Sequence, residues 1–373
     1  MNGEKKKKTI INACITAATF ALAAFYLTRS KIVTAEAIKR IGAGDCFIVL
    51  CFFLFAMLLY AATDFFVYRT VSDKMPYRKC VMNTLAGNLG SNVTPLKSGH
   101  FPLMAYYKCV TGINAEESVT GLIKCQIVYS TASTAVYLVL CAAMLITGSS
   151  FLAGEVYVKT WIVAAIGFAF HAGVLAAVLI LSFNKRLQEF CLKVWAGFLY
   201  KIKKITDKSE YITKKKEWFN RYRKETSAIY KKFYKYIPAV LFYGLFMAAF
   251  GSVQYLSYLV LTGEAFSIDK AFVFYTLNVA SAYITNVIPV PGGVGTAEVT
   301  FSLVYAAVIP EPVIGSVLVL WRAGSYYLPV IIEAVAVSIA LFAKRKSAGN
   351  PQAEDNTKNM EEFSKENADN KRE

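Results

Sequence analysis

The chain has 373 residues, 56% of them hydrophobic, with a mean hydropathy of +0.42. Several long apolar runs in such a composition specify a multi-spanning helical membrane protein rather than a soluble domain. The net charge of +16 is concentrated, because residues 184–236 carry sixteen Lys/Arg against five Asp/Glu. On a soluble protein that excess would suggest nucleic acid; between membrane spans it marks a cytoplasmic loop facing anionic headgroups, and no direct nucleic-acid binding is expected.

The eight cysteines include no CxxC pair, and most lie in or beside apolar helical stretches, so they read as small buried hydrophobes. Only His100 and His171 are present, which argues against a histidine-rich metal site. No nucleotide loop, HExxH or GxSxG pattern occurs, and no cofactor is expected.

In chain order, Lys5 to Lys8 precede the apolar run from Thr9 to Leu27, an expected uncleaved first helix with its start inside. A second span covers about Cys46 to Val67. The stretch from Asn83 to Tyr107 is too polar and broken for an ordinary span and too apolar for an exposed loop. A re-entrant hairpin reconciles the two properties. Two further spans are expected at about Val119 to Thr147 and Tyr157 to Phe183.

In the basic segment, Trp195, Phe198, Leu199 and Ile202 recur at helical spacing, as do Trp218, Tyr222, Ile229 and Phe233. Two amphipathic helices on the inner leaflet fit this pattern, and so does a cytoplasmic helical hairpin packed on itself. Spans at about Ile237 to Leu261 and Ala271 to Ile288 lead to a second broken stretch, Asn286 to Glu298. There two prolines and three glycines interrupt the apolar sequence. Apolar Thr300 to Ile309 and a last helix, Val313 to Ala343, complete the membrane part.

The expected architecture is an all-α polytopic bundle of about eight transmembrane helices with one or two re-entrant or broken segments. Residues 1–346 form the integral membrane domain, with 184–236 as its basic cytoplasmic amphipathic loop. Residues 347–373, polar and without apolar periodicity, form a disordered cytoplasmic tail. Both termini are expected in the cytoplasm of a cell-membrane protein. The Lys/Arg of the first outer loop, Arg29, Lys31, Lys39 and Arg40, fit this orientation poorly unless part of that loop lies flat at the interface.

Paired Gly/Pro-interrupted segments, one in each half, are a sequence pointer to a transporter's binding site. Polar residues there carry two readings each. Glu298 and Arg322 either pair to hold adjacent segments together or contact a headgroup, Glu298 an ammonium and Arg322 a phosphate. Lys97 either binds an anion, helped by Ser98 and Gly99, or snorkels to the interface. His100 either titrates near neutral pH or is a satisfied structural residue. Glu333 lies deep in an apolar helix, whereas Asp64 is close enough to a helix end to be solvated. Asn88, Asn92, Asn286 and Gln254 are residues of the kind that join helices, and His171 reads as core. The candidate headgroup residues are Asn92, Thr94, Lys97, Ser98, Gly99, Gly292, Gly293, Gly295, Glu298, Arg322 and Glu333; no catalytic residue is identified.

Three stretches carry a family resemblance: Asn92-Val-Thr-Pro-Leu-Lys-Ser-Gly-His100, Pro289-Val-Pro-Gly-Gly-Val-Gly-Thr-Ala-Glu298 and Trp321-Arg-Ala-Gly-Ser-Tyr-Tyr-Leu-Pro329. Over roughly residues 5–345 the chain resembles the integral-membrane domain family of lysylphosphatidylglycerol synthase/flippase proteins. His100 stands where a second glycine or similarly small residue is expected. The resemblance implies a domain that moves aminoacylated phosphatidylglycerol between leaflets, a separate cytoplasmic domain making that lipid from aminoacyl-tRNA. The short tail and small basic loop lead us to expect the membrane part alone, with membrane phospholipids and a separate aminoacyltransferase as partners. The alternatives are a phosphatidylglycerol lysyltransferase and a non-transporting scaffold that docks a partner through its basic loop.

Overall fold

A computed structural model describes residues 34–347 apart from 73, 95–98, 101–102, 105–111, 114, 152–161, scattered positions between 163 and 183, 202–206 and 288–289. The described residues are helical, with no strand among them. The first expected span, most of the span at 157–183, His171 and the tail lie outside the described residues.

Helix α1 (Ala35–Lys39) is a short N-capped turn, in which Thr34 Oγ1 accepts from the Ala37 amide at 3.1 Å. It rests on a later helix, α11 (Glu311–Arg322): Ser316 Oγ donates to the Ala37 carbonyl at 2.9 Å and Arg40 Nη1 to the Pro312 carbonyl at 2.9 Å. The segment carrying Lys39 and Arg40 is thus held against the bundle.

Helix α2 (Ala43–Tyr68) begins where the Asp45 carboxylate reaches back to the Gly42 amide at 2.8 Å. Its 26 residues span roughly 39 Å, enough to cross a bilayer. Val49, Phe53, Ala56, Met57, Tyr60, Ala61 and Asp64 form the stripe buried in protein, while Phe47, Phe55 and Leu58 face outward. Both faces are apolar because the outer one meets lipid rather than water.

Helix α3 (Tyr77–Val93) corrects the expected irregular stretch, since the backbone stays helical through Asn83, Gly87, Asn88 and Gly90 and breaks only at Thr94. Local propensity is overridden by tertiary partners. Asn83 donates to Asp64 at 3.0 Å and Asn88 to Glu333 at 2.6 Å, while the glycines admit the returning chain. A Cβ on Gly90 would collide with the Gly99 carbonyl, and one on Gly99 would sit 2.7 Å from the Gly90 oxygen. Such a backbone crossing is a hairpin folded tightly on itself.

Helix α4 (Ala115–Phe151) packs on α7 (Ile237–Gly251), which also runs along α2. The expected single span from Ile237 to Leu261 is two helices, α7 and α8 (Val253–Thr262), broken at Ser252. Ser252 Oγ donates back to the Ala248 carbonyl at 2.7 Å, a bond that bends helices, and the absent side chain of Gly251 makes room for the Tyr275 ring. Helix α9 (Ile268–Val287) leads through a 3₁₀ turn (Pro291–Gly293) into α10 (Thr296–Tyr305). Helix α11 continues through a π-helical turn (Ala323–Tyr327) into α12 (Leu328–Ser347). Four described helical stretches are long and apolar enough to cross a membrane: Ala43–Tyr68, Thr120–Leu140, Phe233–Gly251 and Glu311–Leu341.

The basic segment folds as α5 (Lys185–Lys201) and α6 (Lys208–Lys231), which pack against each other, with Lys216 3.7 Å from Glu189; α6 also packs on α4. The hairpin and amphipathic readings are compatible, because α5 still exposes Phe190, Val194 and Trp195 beside Arg186 and Lys193. Among the cysteines, Cys80 and Cys125 are buried as expected, whereas Cys51 faces outward from α2.

The hairpin crossing makes a sharp prediction about packing. Gly90→Ala drives a methyl group into backbone that cannot yield, and is expected to cost about 1–3 kcal/mol. Gly44→Ala, whose Cβ meets nothing within 4 Å, should leave stability unchanged or slightly raised. Thermal unfolding of the two purified variants in detergent separates them; equal midpoints would contradict the crossing.

Candidate functional site

The second break is built on left-handed backbone. Gly292 has φ +61°, and a Cβ there would collide with the Tyr326 ring; Gly293 and Gly295 also have positive φ. The chain thereby turns sharply enough to start α10 directly after the 3₁₀ turn. Thr296 Oγ1 donates to the Gly293 carbonyl at 2.9 Å and fixes the junction.

Glu298 is the third residue of α10, where an acid can reach back to the helix start. Its Oε2 accepts from the Gly295 amide at 2.7 Å. Its Oε1 accepts from Arg322 Nε at 2.7 Å and from the Tyr327 hydroxyl at 3.2 Å. Both charged side chains are buried. The pairing alternative therefore has direct geometry, and the carboxylate is fully engaged by protein donors.

Arg322 ends α11, and the π-helical turn after it places both Tyr326 and Tyr327 against its guanidinium. The Tyr326 ring centroid lies 4.1 Å from Cζ and the Tyr327 centroid 5.5 Å away. An i→i+5 turn brings successive tyrosines to one cation in a way a regular helix does not. The guanidinium thus turns its Nε edge to Glu298. Arg322 Nη2 reaches the Gly292 carbonyl at 3.5 Å, and the residue lines a cavity.

That cavity, about 790 Å³, is lined by both broken segments. Asn88, Asn92 and His100 come from the first, and Gly292, Gly293 and Arg322 belong to the second break and its partner helix. Helix α3 packs directly on the 3₁₀ turn, and the Tyr326 hydroxyl lies 3.5 Å from the Asn92 carbonyl. Phe53, Met57, Phe246 and Phe250 form an apolar wall.

The remaining expected residues hold this arrangement. Thr94 Oγ1 donates to the Gly90 carbonyl at 2.6 Å and accepts from the Gly99 amide at 2.7 Å, closing the hairpin. His100 Nδ1 lies 2.9 Å from the Gly87 carbonyl and 3.0 Å from Ser91 Oγ, with Nε2 3.3 Å from the Tyr60 hydroxyl. A carbonyl only accepts, so Nδ1 carries a proton, and in the neutral ring Nε2 accepts from Tyr60. His100 is therefore a satisfied residue whose ring fits because Gly87 has no side chain.

Glu333 is fully buried and pins α12 to α3 through Asn88. Asp64, expected near solvent, is 0% exposed instead. Its carboxylate accepts from Asn83, from Cys125 Sγ at 3.3 Å and from the Tyr129 hydroxyl. The reason is its place on the protein-facing stripe of α2, which apolar residues on both faces conceal from a hydropathy reading. Lys97 and Ser98 lie outside the described residues, as does the Asn286 side chain.

The sequence reading missed Asn278, Ser281, Ser130 and Ser133, which line the cavity together with Gln254; Gln254 joins helices as expected, its Nε2 donating to Asn278 Oδ1 at 2.7 Å. Polar residues on otherwise apolar spans were the available signal.

The buried pair predicts an asymmetric mutational response. Arg322→Met strands an engaged carboxylate without its cation and is expected to cost about 3–5 kcal/mol. Adding Glu298→Gln should recover a large part of that loss. Additive losses in a double-mutant cycle of unfolding midpoints would show that the two side chains are uncoupled.

No curated protein sequence matches the chain. A family model described as the lysylphosphatidylglycerol synthase TM region matches residues 13–332. The chain therefore belongs to that family of membrane proteins.

Proposed function

We propose that this protein is a phospholipid translocase that takes a lipid headgroup into the cavity while the acyl chains stay in the bilayer. The observation that carries this reading is the lining itself: both broken segments and Arg322 face one space with an apolar wall. Backbone irregularity at membrane depth is tolerated where it borders such a cavity, and paired breaks are where transporter substrates bind.

Within this reading Arg322 meets the headgroup phosphate, since a guanidinium presents planar paired donors that an ammonium lacks. Asn92, Gly292 and Gly293 border the same space, and Lys97 and Ser98 are headgroup candidates by sequence alone. Thr94, Gly99, Gly295 and Glu333 position these groups. Glu298 orients Arg322 rather than receiving an amine, because its oxygens already accept from Arg322, Gly295 and Tyr327. Phosphatidylglycerol and its aminoacylated esters are the cargo that family membership brings forward. The basic α5–α6 hairpin would gather anionic lipid at the inner leaflet of the cell membrane, or dock a separate aminoacyltransferase.

Arg322→Lys keeps a cation for Glu298 but loses the fork facing the cavity, so transport should fall about tenfold while the fold persists. Leaflet-specific chemical labelling of phosphatidylglycerol lipids in proteoliposomes reads this directly. Folded Arg322→Lys and Glu298→Gln proteins that transport at the unsubstituted rate would remove the site assignment.

A further inference from the structure

Glu333 is a buried acid that the headgroup reading leaves without a chemical task. It lies within the long apolar stretch Glu311–Leu341, is 0% exposed and stands behind the cavity wall rather than in it. Its Oε1 accepts from Asn88 Nδ2 at 2.6 Å, and its Oε2 meets no partner among the described residues. Asn92, one turn beyond Asn88 on α3, also faces it. Both amides are neutral, and both line the cavity.

Among the described residues no cation bonds Glu333. Helix α12 packs on α3, on the π-helical turn and on α2. On α2, Asp45 closes the helix start and Asp64 is held by Asn83, Cys125 and Tyr129. On α3, Arg78 and Lys79 stand in the first turn, well before Asn88. The π-helical turn brings the phenols of Tyr326 and Tyr327, and Arg322 before it is taken by Glu298. In the hairpin, His100 bonds Gly87 and Tyr60. The cations of α12 itself, Lys344 to Lys346, lie about three turns further on. A carboxylate buried with one amide donor and no cation is costly; the neutral acid escapes that cost. Oε2 is closed to solvent, so no ligand reaches it, but a proton needs no room.

We propose that Glu333 carries a proton in this conformation, and that its release and uptake couple headgroup translocation to a transmembrane proton gradient. This coupling rests on the translocase reading above. In the release step the Oε2–H bond breaks, the proton passes to water and the carboxylate keeps the electron pair; uptake is the reverse. Once ionised, the group cannot stay against Asn88 without a cation, so α12 parts from α3. Helix α12 continues from the turn that stacks on Arg322, and α3 carries Asn88 and Asn92. Their parting therefore reshapes the cavity from two sides.

The test uses the full-length protein in proteoliposomes with a short-chain fluorescent phosphatidylglycerol, which has no amine to titrate. The membrane potential is clamped with potassium and valinomycin, and pH is set separately on each side. With one proton per lipid, each unit of pH difference should change the steady-state ratio of probe between leaflets by up to about tenfold. Glu333→Gln mimics the neutral acid and keeps an acceptor for Asn88, so it should fold but hold the ratio at its gradient-free value. Glu333→Asp should restore part of the response, which a merely structural role does not predict. Infrared spectra at neutral pH should show a protonated carboxyl band that Glu333→Gln lacks. Probe moved by the unsubstituted protein to one ratio regardless of the gradient would overturn the coupling alone. So would a response that survives Glu333→Gln, or identical carboxyl bands in the two proteins. No probe movement by the unsubstituted protein would overturn the translocase reading together with the coupling.

Discussion

The architecture depends on the buried contact between Glu298 and Arg322. Two charges removed from water are stable only when their remaining donors and acceptors are also met. Here the carboxylate closes the start of α10, accepts from Tyr327 and takes the guanidinium of α11, while the guanidinium lies against Tyr326. One contact therefore ties the Gly-rich break, the helix that follows it and the π-helical turn into a single unit. Without it, the left-handed residues at Gly292, Gly293 and Gly295 would leave a flexible chain at membrane depth.

Close backbone approach supplies the second half of the site. Gly90 and Gly99 let the first hairpin fold on itself, and Thr94 bonds to both of them. The folded hairpin then sits where α3 meets the Pro291–Gly293 turn. The cavity is the space two such structures cannot fill, since each turns away before its side chains can pack into the middle. Its polar rim and aromatic wall follow from which helices close around it, namely α2, α4, α7, α8 and α9.

Much of this was legible in the residues. Proline and glycine within apolar sequence located both breaks, and the isolated charges Glu298 and Arg322 stood out for the same reason. The full regularity of α3 was not legible, because Asn83, Asn88, Gly87 and Gly90 all disfavour a helix locally and are compensated by partners far along the chain. The break at Ser252 depends on one hydroxyl bonding backwards, and the π-helical turn at Ala323–Tyr327 has no compositional mark. Gln254 was legible as a residue that joins helices, but its partner Asn278, on the following helix, was not. In lipid, apolar residues cover both faces of a helix, so periodicity does not report which polar residue points inward; Asp64 shows this most clearly.

The central claim is that the two broken segments enclose one headgroup site. A structure of the protein determined with phosphatidylglycerol in nanodiscs tests it most directly. A phosphate is expected beside Arg322, between Asn92 and Gly292, with the acyl chains leaving past Phe53 and Phe250. Lipid bound only along the outer faces of α2 and α7, with the space between the two breaks closed by side chains, would contradict it.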